Sequence, residues 1–257
     1  MNEGTPGRLH GLRIAITREQ PGELAGLLQA EGATVVHSPL IRIVAADNSE
    51  LLRLLASHEY DWVVFTSSNA LRFVVVESGL GHTLVPGGKT GRSPNVACVG
   101  ESTAEEARGL GLRVHLVPKR QHLKGLLEAF AALTGSGRVL YPRSEIAPPT
   151  LKEGLQALGF AVDDPVVYRT LPDRQGMTAF AAQLKRGLDA VAFASPSAVR
   201  NAVTAVDDAL KPLRLYSIGP STSAALREAG LEVAAEAAEH SAAGLAQAII
   251  EKECRSD

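Results

Sequence analysis

Two cysteines in 257 residues, Cys98 in an apolar run and Cys254 in a polar tail, cannot build a disulfide framework. Their scarcity fits a reducing compartment, and the expected location is the cytoplasm. No apolar stretch approaches the roughly 18 residues that a membrane-spanning helix requires. The opening MNEGTPGRLHGLR carries no apolar core of the kind a signal peptide needs. Charge of one sign is missing too: 26 basic and 28 acidic residues are interspersed, for a net charge of -2, so no basic face advertises nucleic acid and no acidic tail advertises disorder.

The familiar cofactor signatures are equally thin. The seven histidines include no helically spaced pair with a third ligand nearby, and neither cysteine has a partner, so no metal is expected. GGKT at 87–90 ends like a phosphate loop, but Thr83 stands where its first glycine is required. GLGLRV from Gly109 lacks the third glycine of a dinucleotide fingerprint and precedes a strand instead of following one, and a transferase using a nucleotide-linked donor would need an acidic ribose-binding position that the chain does not offer in the right context.

What the chain does have is repetition. It is 45% hydrophobic and long enough for two α/β domains, and three blocks recur in the same order. Residues 61–75 match 189–203 at an offset of 128 with seven identities, among them Ser67/Ser195, Ala70/Ala198 and Arg72/Arg200. Residues 96–126 match 215–245 at an offset of 119, pairing Gly100 with Gly219, Ser102 with Ser221 and Thr103 with Thr222. LRIAITRE at 12–19 resembles GRVLYPRSE at 137–145, and LQAEG at 28–32 matches LQALG at 155–159. Such internal similarity is the mark of a duplicated supersecondary unit.

Each copy alternates short β-branched runs with amphipathic stretches. RIAIT, ATVVH, DWVVF, NVACV and LRVHL are the expected strands of one set, and RVLYP, FAVDD, DAVAF, LYSIG and LEVAA those of the other. NALRFVVVESG and TAEEARGLGL read as helices, the second stopping at Gly111. Strand–helix–strand repetition predicts parallel sheets covered on both faces, with ligands beyond the carboxyl ends of the strands.

Four of those strand ends are rich in small polar residues: Ser67, Ser68 and Asn69; Gly100, Glu101, Ser102 and Thr103; Ser195 and Ser197; Gly219, Ser221 and Thr222. Each set can cap a helix, and each can present N–H and hydroxyl donors to an anion at the positive end of a helix dipole. Arg18 and Arg143, the latter followed by Ser144, end the first strand of each copy, where a guanidinium either clamps a carboxylate or stays solvated. The repeat breaks its symmetry once. PLIRI at 39–43 and VVYRT at 166–170 align Arg42 with Arg169 but Ile41 with Tyr168. A phenol there is either a buried tyrosine with its hydroxyl satisfied or a general acid.

Taken together, RIAITRE, VVFTSSNAL, VACVGESTAEEARGLGL, VVYRT, VAFASPSAV, YSIGPSTSAALREAGLEV and EHSAAGLAQAI resemble the uroporphyrinogen-III synthase family over nearly the whole chain. The resemblance implies two similar flavodoxin-like α/β domains joined by a two-stranded connector, with the ligand cleft between them. Residues 1–37 plus 172–257 would form one domain, 45–165 the other, and 38–44 with 166–171 the connector. It implies cyclisation of the linear tetrapyrrole hydroxymethylbilane to uroporphyrinogen III with loss of water and inversion of ring D, in tetrapyrrole biosynthesis. Tyr168 would then be the acid, and the strand-tip residues would bind the eight substrate carboxylates without any cofactor. Transient handover from the upstream bilane-forming enzyme is a further expectation, and nothing requires more than a monomer. The competing reading of the same tips is a non-catalytic, hinged two-domain binding protein for an anionic small molecule.

Overall fold

The structure, a computed structural model, describes residues 7–57, 60–77, 93–133 and 136–254; GGKT at 87–90 lies outside them. It consists of two compact units, Met1–Arg42 with Leu171–Asp257, and Ile43–Thr170.

The first unit holds a five-stranded parallel sheet in the order Ala235–Glu236, Arg214–Ser217, Ala190–Phe193, Arg13–Ile16, Thr34–His37. Alternation along its strands builds two cores, because successive side chains leave opposite faces. Ile14, Ile16, Ala190 and Ala192 meet Leu24 and Leu28 of helix Gly22–Ala30 and Leu245 and Ile249 of helix Ala242–Cys254. Ala15, Val191, Phe193 and Leu215 meet Phe180, Val199 and Leu226 of the helices Arg174–Lys185, Pro196–Val206 and Pro220–Glu228. Strand Ala190–Phe193 is buried at all four residues, as a central strand covered on both faces must be.

The second unit repeats the arrangement in the order Val114–Leu116, Asn95–Cys98, Trp62–Phe65, Arg138–Leu140, Ala161–Asp163. Val63, Phe65, Val96 and Cys98 pack on one face with Leu51, Leu71, Ala104 and Ala107; Val64, Ala97 and Val139 pack on the other with Leu126, Phe130, Leu151 and Leu155. Each strand therefore occupies the place in its sheet that its sequence match occupies in the other. The duplication extends to the caps. Gly111 and Gly230 adopt φ of 82° and 72°, and behind them Leu112 and Leu231 donate to the carbonyls of Ala107 and Leu226 at 3.0 Å each. A left-handed residue followed by that wrapped-back bond is the usual way for a helix to stop at glycine.

A third sheet has the order Ile41–Ala45, Val166–Pro172, Arg143–Ser144. Its short last strand was not expected, and two further elements differ from the sequence-based expectation. The last strand of the first unit forms at Ala235–Glu236 and not over LEVAA, because Leu231 turns into the core and only Ala234 onward reaches strand Arg214–Ser217. The stretch expected as one helix from Asn69 begins as an α-helix, Ser68–Arg72, and continues as a π turn, Phe73–Glu77. Among the described residues, no helix is long and apolar enough to cross a membrane.

Candidate functional site

In both sheets the three strands whose ends carry candidate residues are neighbours, so their tips lie side by side at the carboxyl edge of each unit.

In the second unit these are the ends of Asn95–Cys98, Trp62–Phe65 and Arg138–Leu140. Ser67 is the N-cap of helix Ser68–Arg72, and its Oγ accepts from the Ala70 N–H at 3.1 Å. The same oxygen lies 3.2 Å from the Tyr168 hydroxyl. Tyr168 is 8% exposed, pairs in register with Ser144, and accepts at its backbone carbonyl from the Glu145 N–H at 3.1 Å. Its ring stacks on Phe73 at 5.8 Å with 15° between the planes. Tyr168, the third residue of strand Val166–Pro172, is thus a buried ring whose hydroxyl is partnered by the cap that follows strand Trp62–Phe65. Beside it, burial pushes the Tyr141 hydroxyl upward, opposed by a hydrogen bond with Thr66. Ser68 and Asn69 follow the cap and are half-buried.

The next tip is arranged differently. Gly100 is the N-cap of helix Glu101–Gly109 and has no side chain to cap it, so Gln121 does the work by accepting from the Glu101 N–H at 2.9 Å. The Glu101 carboxylate pairs with Arg108 of its own helix. Glu101 is thereby committed to the protein at both its donor and its carboxylate. Ser102 is exposed and Thr103 buried.

Arg143 resolves the choice between clamp and solvated arginine in favour of an internal clamp. Its Nε donates to Asp164 at 2.7 Å and its Nη1 to the Ser144 carbonyl at 3.0 Å, while Lys152 donates to the other oxygen of Asp164. Burial pushes the Asp164 carboxyl up, but the hydrogen bonds from Lys152 and Arg143 outweigh it and hold the group below the ordinary carboxylate range. Ser144 is buried, with the Ile146 N–H 3.4 Å from its Oγ.

The first unit repeats these motifs with substitutions. Ser195 caps helix Pro196–Val206 as Ser67 does, accepting from Ala198 N–H at 3.2 Å. Ser197 is half-buried, 3.5 Å from Arg200 Nη2. Gly219 begins helix Pro220–Glu228, and His240 lies so close that a Cβ on Gly219 would sit 2.8 Å from its ring. His240 occupies the place of Gln121 in the repeat, and Pro220, without an N–H, the place of Glu101. Ser221 is exposed; Thr222 is 1% exposed, and its Oγ1 has no hydrogen-bond partner among the described residues. Arg18 is exposed, and its carbonyl lies 2.9 Å from His37 Nε2.

The sequence-based reading missed Phe73, Thr66 with Tyr141, Gln121 and His240. Gln121 and His240 align at the 119-residue offset, and Phe73 aligns with Asn201 at the 128-residue offset, each within a block already recognised as repeated. Chemically, the second unit brings the Tyr168 hydroxyl to the Ser67 cap beside the N-terminus of helix Glu101–Gly109, and the first unit by itself offers the N-termini of helices Pro196–Val206 and Pro220–Glu228. Among the described residues no three His, Cys, Asp or Glu side chains are grouped to hold a metal ion.

The family model described as uroporphyrinogen-III synthase HemD matches residues 22–247. A Methanothermobacter thermautotrophicus protein that carries the same activity in its name is 32% identical over 235 residues, covering 85% of this chain and 90% of its own. The uroporphyrinogen-III synthase of Synechococcus elongatus is 26% identical over 260 residues, covering 94% and 95%. Among solved structures, a mutant uroporphyrinogen III synthase of Thermus thermophilus aligns with a TM-score of 0.64 at 22% identity, over 96% of this chain and all of that one. The uroporphyrinogen-III synthetase of Helicobacter pylori aligns with a TM-score of 0.62 at 15% identity, over 93% and 99%. These two likenesses carry the fold: two units of parallel sheet.

Proposed function

The chain belongs to the uroporphyrinogen-III synthase family, and from that premise we propose that it closes hydroxymethylbilane into uroporphyrinogen III with Tyr168 as the proton donor. The observation that supports this role is the Tyr168 hydroxyl held 3.2 Å from Ser67 at a strand tip. A general acid needs its proton ordered within reach of a ligand, and the carboxyl edge of a parallel sheet is where ligands sit.

The proton balance is closed. The phenol protonates the departing hydroxyl, the C–O bond breaks, and water leaves an azafulvene. The substituted carbon of ring D attacks the azafulvene to form a C–C bond and a spiro intermediate. The older bond from that carbon to the methylene of ring C then breaks, and the second azafulvene so released is captured by the free α-carbon of ring D, which closes the macrocycle with ring D inverted. The proton lost as the ring system regains aromaticity returns to the phenolate, so the net change is loss of one water. Because the free bilane closes unaided to isomer I, the enzyme's main task is orientation, an effect that can contribute several kcal/mol. The same instability favours handover of the bilane from the enzyme that makes it.

The eight substrate carboxylates are matched by the donors of Ser68, Asn69, Ser102, Thr103, Ser197, Ser221 and Thr222 and by exposed Arg18, without a net basic protein. Thr222 tests this set. A buried hydroxyl without a partner costs about 1–3 kcal/mol, so Thr222→Val is expected to raise Tm by a few degrees. Reaching that hydroxyl requires a carboxylate to displace the groups that cover it, and the loss of the resulting hydrogen bond should raise KM about tenfold. A valine variant with wild-type KM would remove Thr222 from the binding set.

The deciding experiment is product analysis with enzymatically generated hydroxymethylbilane. Uroporphyrinogen III as the dominant isomer is expected. Isomer I alone, formed at the uncatalysed rate while the protein still binds the bilane, would leave the hinged binding protein as the better description.

A further inference from the structure

The repeat supplies an internal control for Tyr168. In one copy, position 201 is Asn201, on the uninterrupted helix Pro196–Val206, and its Nδ2 donates to the Leu40 carbonyl at 2.8 Å. Leu40 immediately precedes Ile41, the residue that aligns with Tyr168. In the other copy the aligned position is Phe73, where the α-helix gives way to a π turn, and its ring stacks on Tyr168 itself. In one copy this position engages the residue before strand Ile41–Ala45, and in the other it engages strand Val166–Pro172. Only where the engaged segment carries a phenol is the position aromatic, and only there does the helix widen. A π turn inserted into a helix shifts the side chains that follow, and such turns recur at functional sites.

Ser67 fixes the other end of the phenol. A serine hydroxyl offers one hydrogen and two lone pairs. The Ala70 N–H, which can only donate, occupies one lone pair at 3.1 Å. If the Ser67 hydrogen is directed at the Tyr168 oxygen 3.2 Å away, the phenol accepts there and keeps its own proton for another acceptor. The N–H bond into Ser67 strengthens that donation, because linked hydrogen bonds polarise one another.

We propose that Phe73 and Ser67 are positioning residues for the reaction, Phe73 setting the plane of the Tyr168 ring and Ser67 setting the direction of its hydroxyl so that its proton faces the substrate. The proposal rests on Tyr168 being the acid. Phe73 is also a core residue, 5% exposed in the cluster that holds Val74 and Leu71, so the test must separate positioning from packing.

The experiment is a pair of double-mutant cycles, with kcat, KM and thermal unfolding measured on enzymatically generated hydroxymethylbilane. Phe73→Leu is expected to lower kcat about tenfold with KM within about twofold, and Phe73→Tyr, which keeps an aromatic face, to recover most of the loss. Ser67→Gly removes the hydroxyl at a position where glycine caps almost as well, so it serves even if Phe73→Leu folds poorly, and it too should lower kcat. In the Tyr168→Phe background neither substitution should lower kcat further. Equal fold-losses in both backgrounds, or wild-type kcat in Phe73→Leu and Ser67→Gly, would overturn the positioning role while leaving the acid role intact. Wild-type kcat in Tyr168→Phe alone would overturn both.

Discussion

Tyr168→Phe is expected to lower kcat by about a hundredfold with KM within about twofold and an unfolding transition close to that of the parent chain. The stability half of this expectation follows from what the hydroxyl does in the fold. Removing it leaves the Ser67 Oγ still accepting from the Ala70 N–H, so helix Ser68–Arg72 keeps its cap, and it leaves a phenyl ring to stack on Phe73. One hydrogen bond at 3.2 Å is lost, worth about 1 kcal/mol. The rate half follows from the chemistry. A positioned acid contributes roughly 10²–10⁴-fold, and the hydroxymethyl group is a good enough leaving group to place the effect at the lower end. The variant should also release more isomer I, because bilane that is not turned over cyclises in solution. Wild-type turnover by Tyr168→Phe would remove the acid role and leave the phenol as packing.

The fold was legible because the signals that define it are local and written twice. The unbroken apolar runs in DWVVF and DAVAF say that both faces of a strand are buried, and the matched blocks say that two sheets share one strand order. What stayed hidden is the part that depends on pairing across long separations. Ser67 and Ser195 could be read as caps from their place before a helix, but the bond from Ser67 to Tyr168 joins residues 101 apart. The acid that engages Arg143 arrives from Asp164, on the chain that follows a neighbouring strand, 21 residues on. A two-residue strand such as Arg143–Ser144, directly after Pro142, carries no periodicity to detect. The switch from α to π at Phe73 is invisible for a related reason. FVVVE is an ordinary apolar run, and apolar periodicity does not encode whether its turn closes as α or as π.

A change remote from any reacting group should have the largest effect on stability. Gly176 is the third residue of helix Arg174–Lys185, where its N–H is capped by Asp173 Oδ1 at 2.9 Å. On propensity alone alanine there would gain about 1 kcal/mol. The opposing effect is steric: a Cβ at this position would lie 1.6 Å from the Pro39 carbonyl oxygen. That carbonyl cannot simply retreat, because the next one, of Leu40, accepts from the Asp173 N–H at 3.1 Å and from Asn201 Nδ2 at 2.8 Å. Overpacking against a held backbone costs about 3 kcal/mol or more, so the clash wins. Gly176→Ala is expected to lower Tm by roughly 5–10 °C. Asn201→Ala should cost about 1 kcal/mol alone but less in the Gly176→Ala background, since pushing Pro39 outward already loosens the bond that Asn201 makes, and changes that share a partner are not additive. A Tm at or above that of the parent in Gly176→Ala would mean that propensity outweighs contact, and that the segment before the connecting strand is not clamped as these distances require.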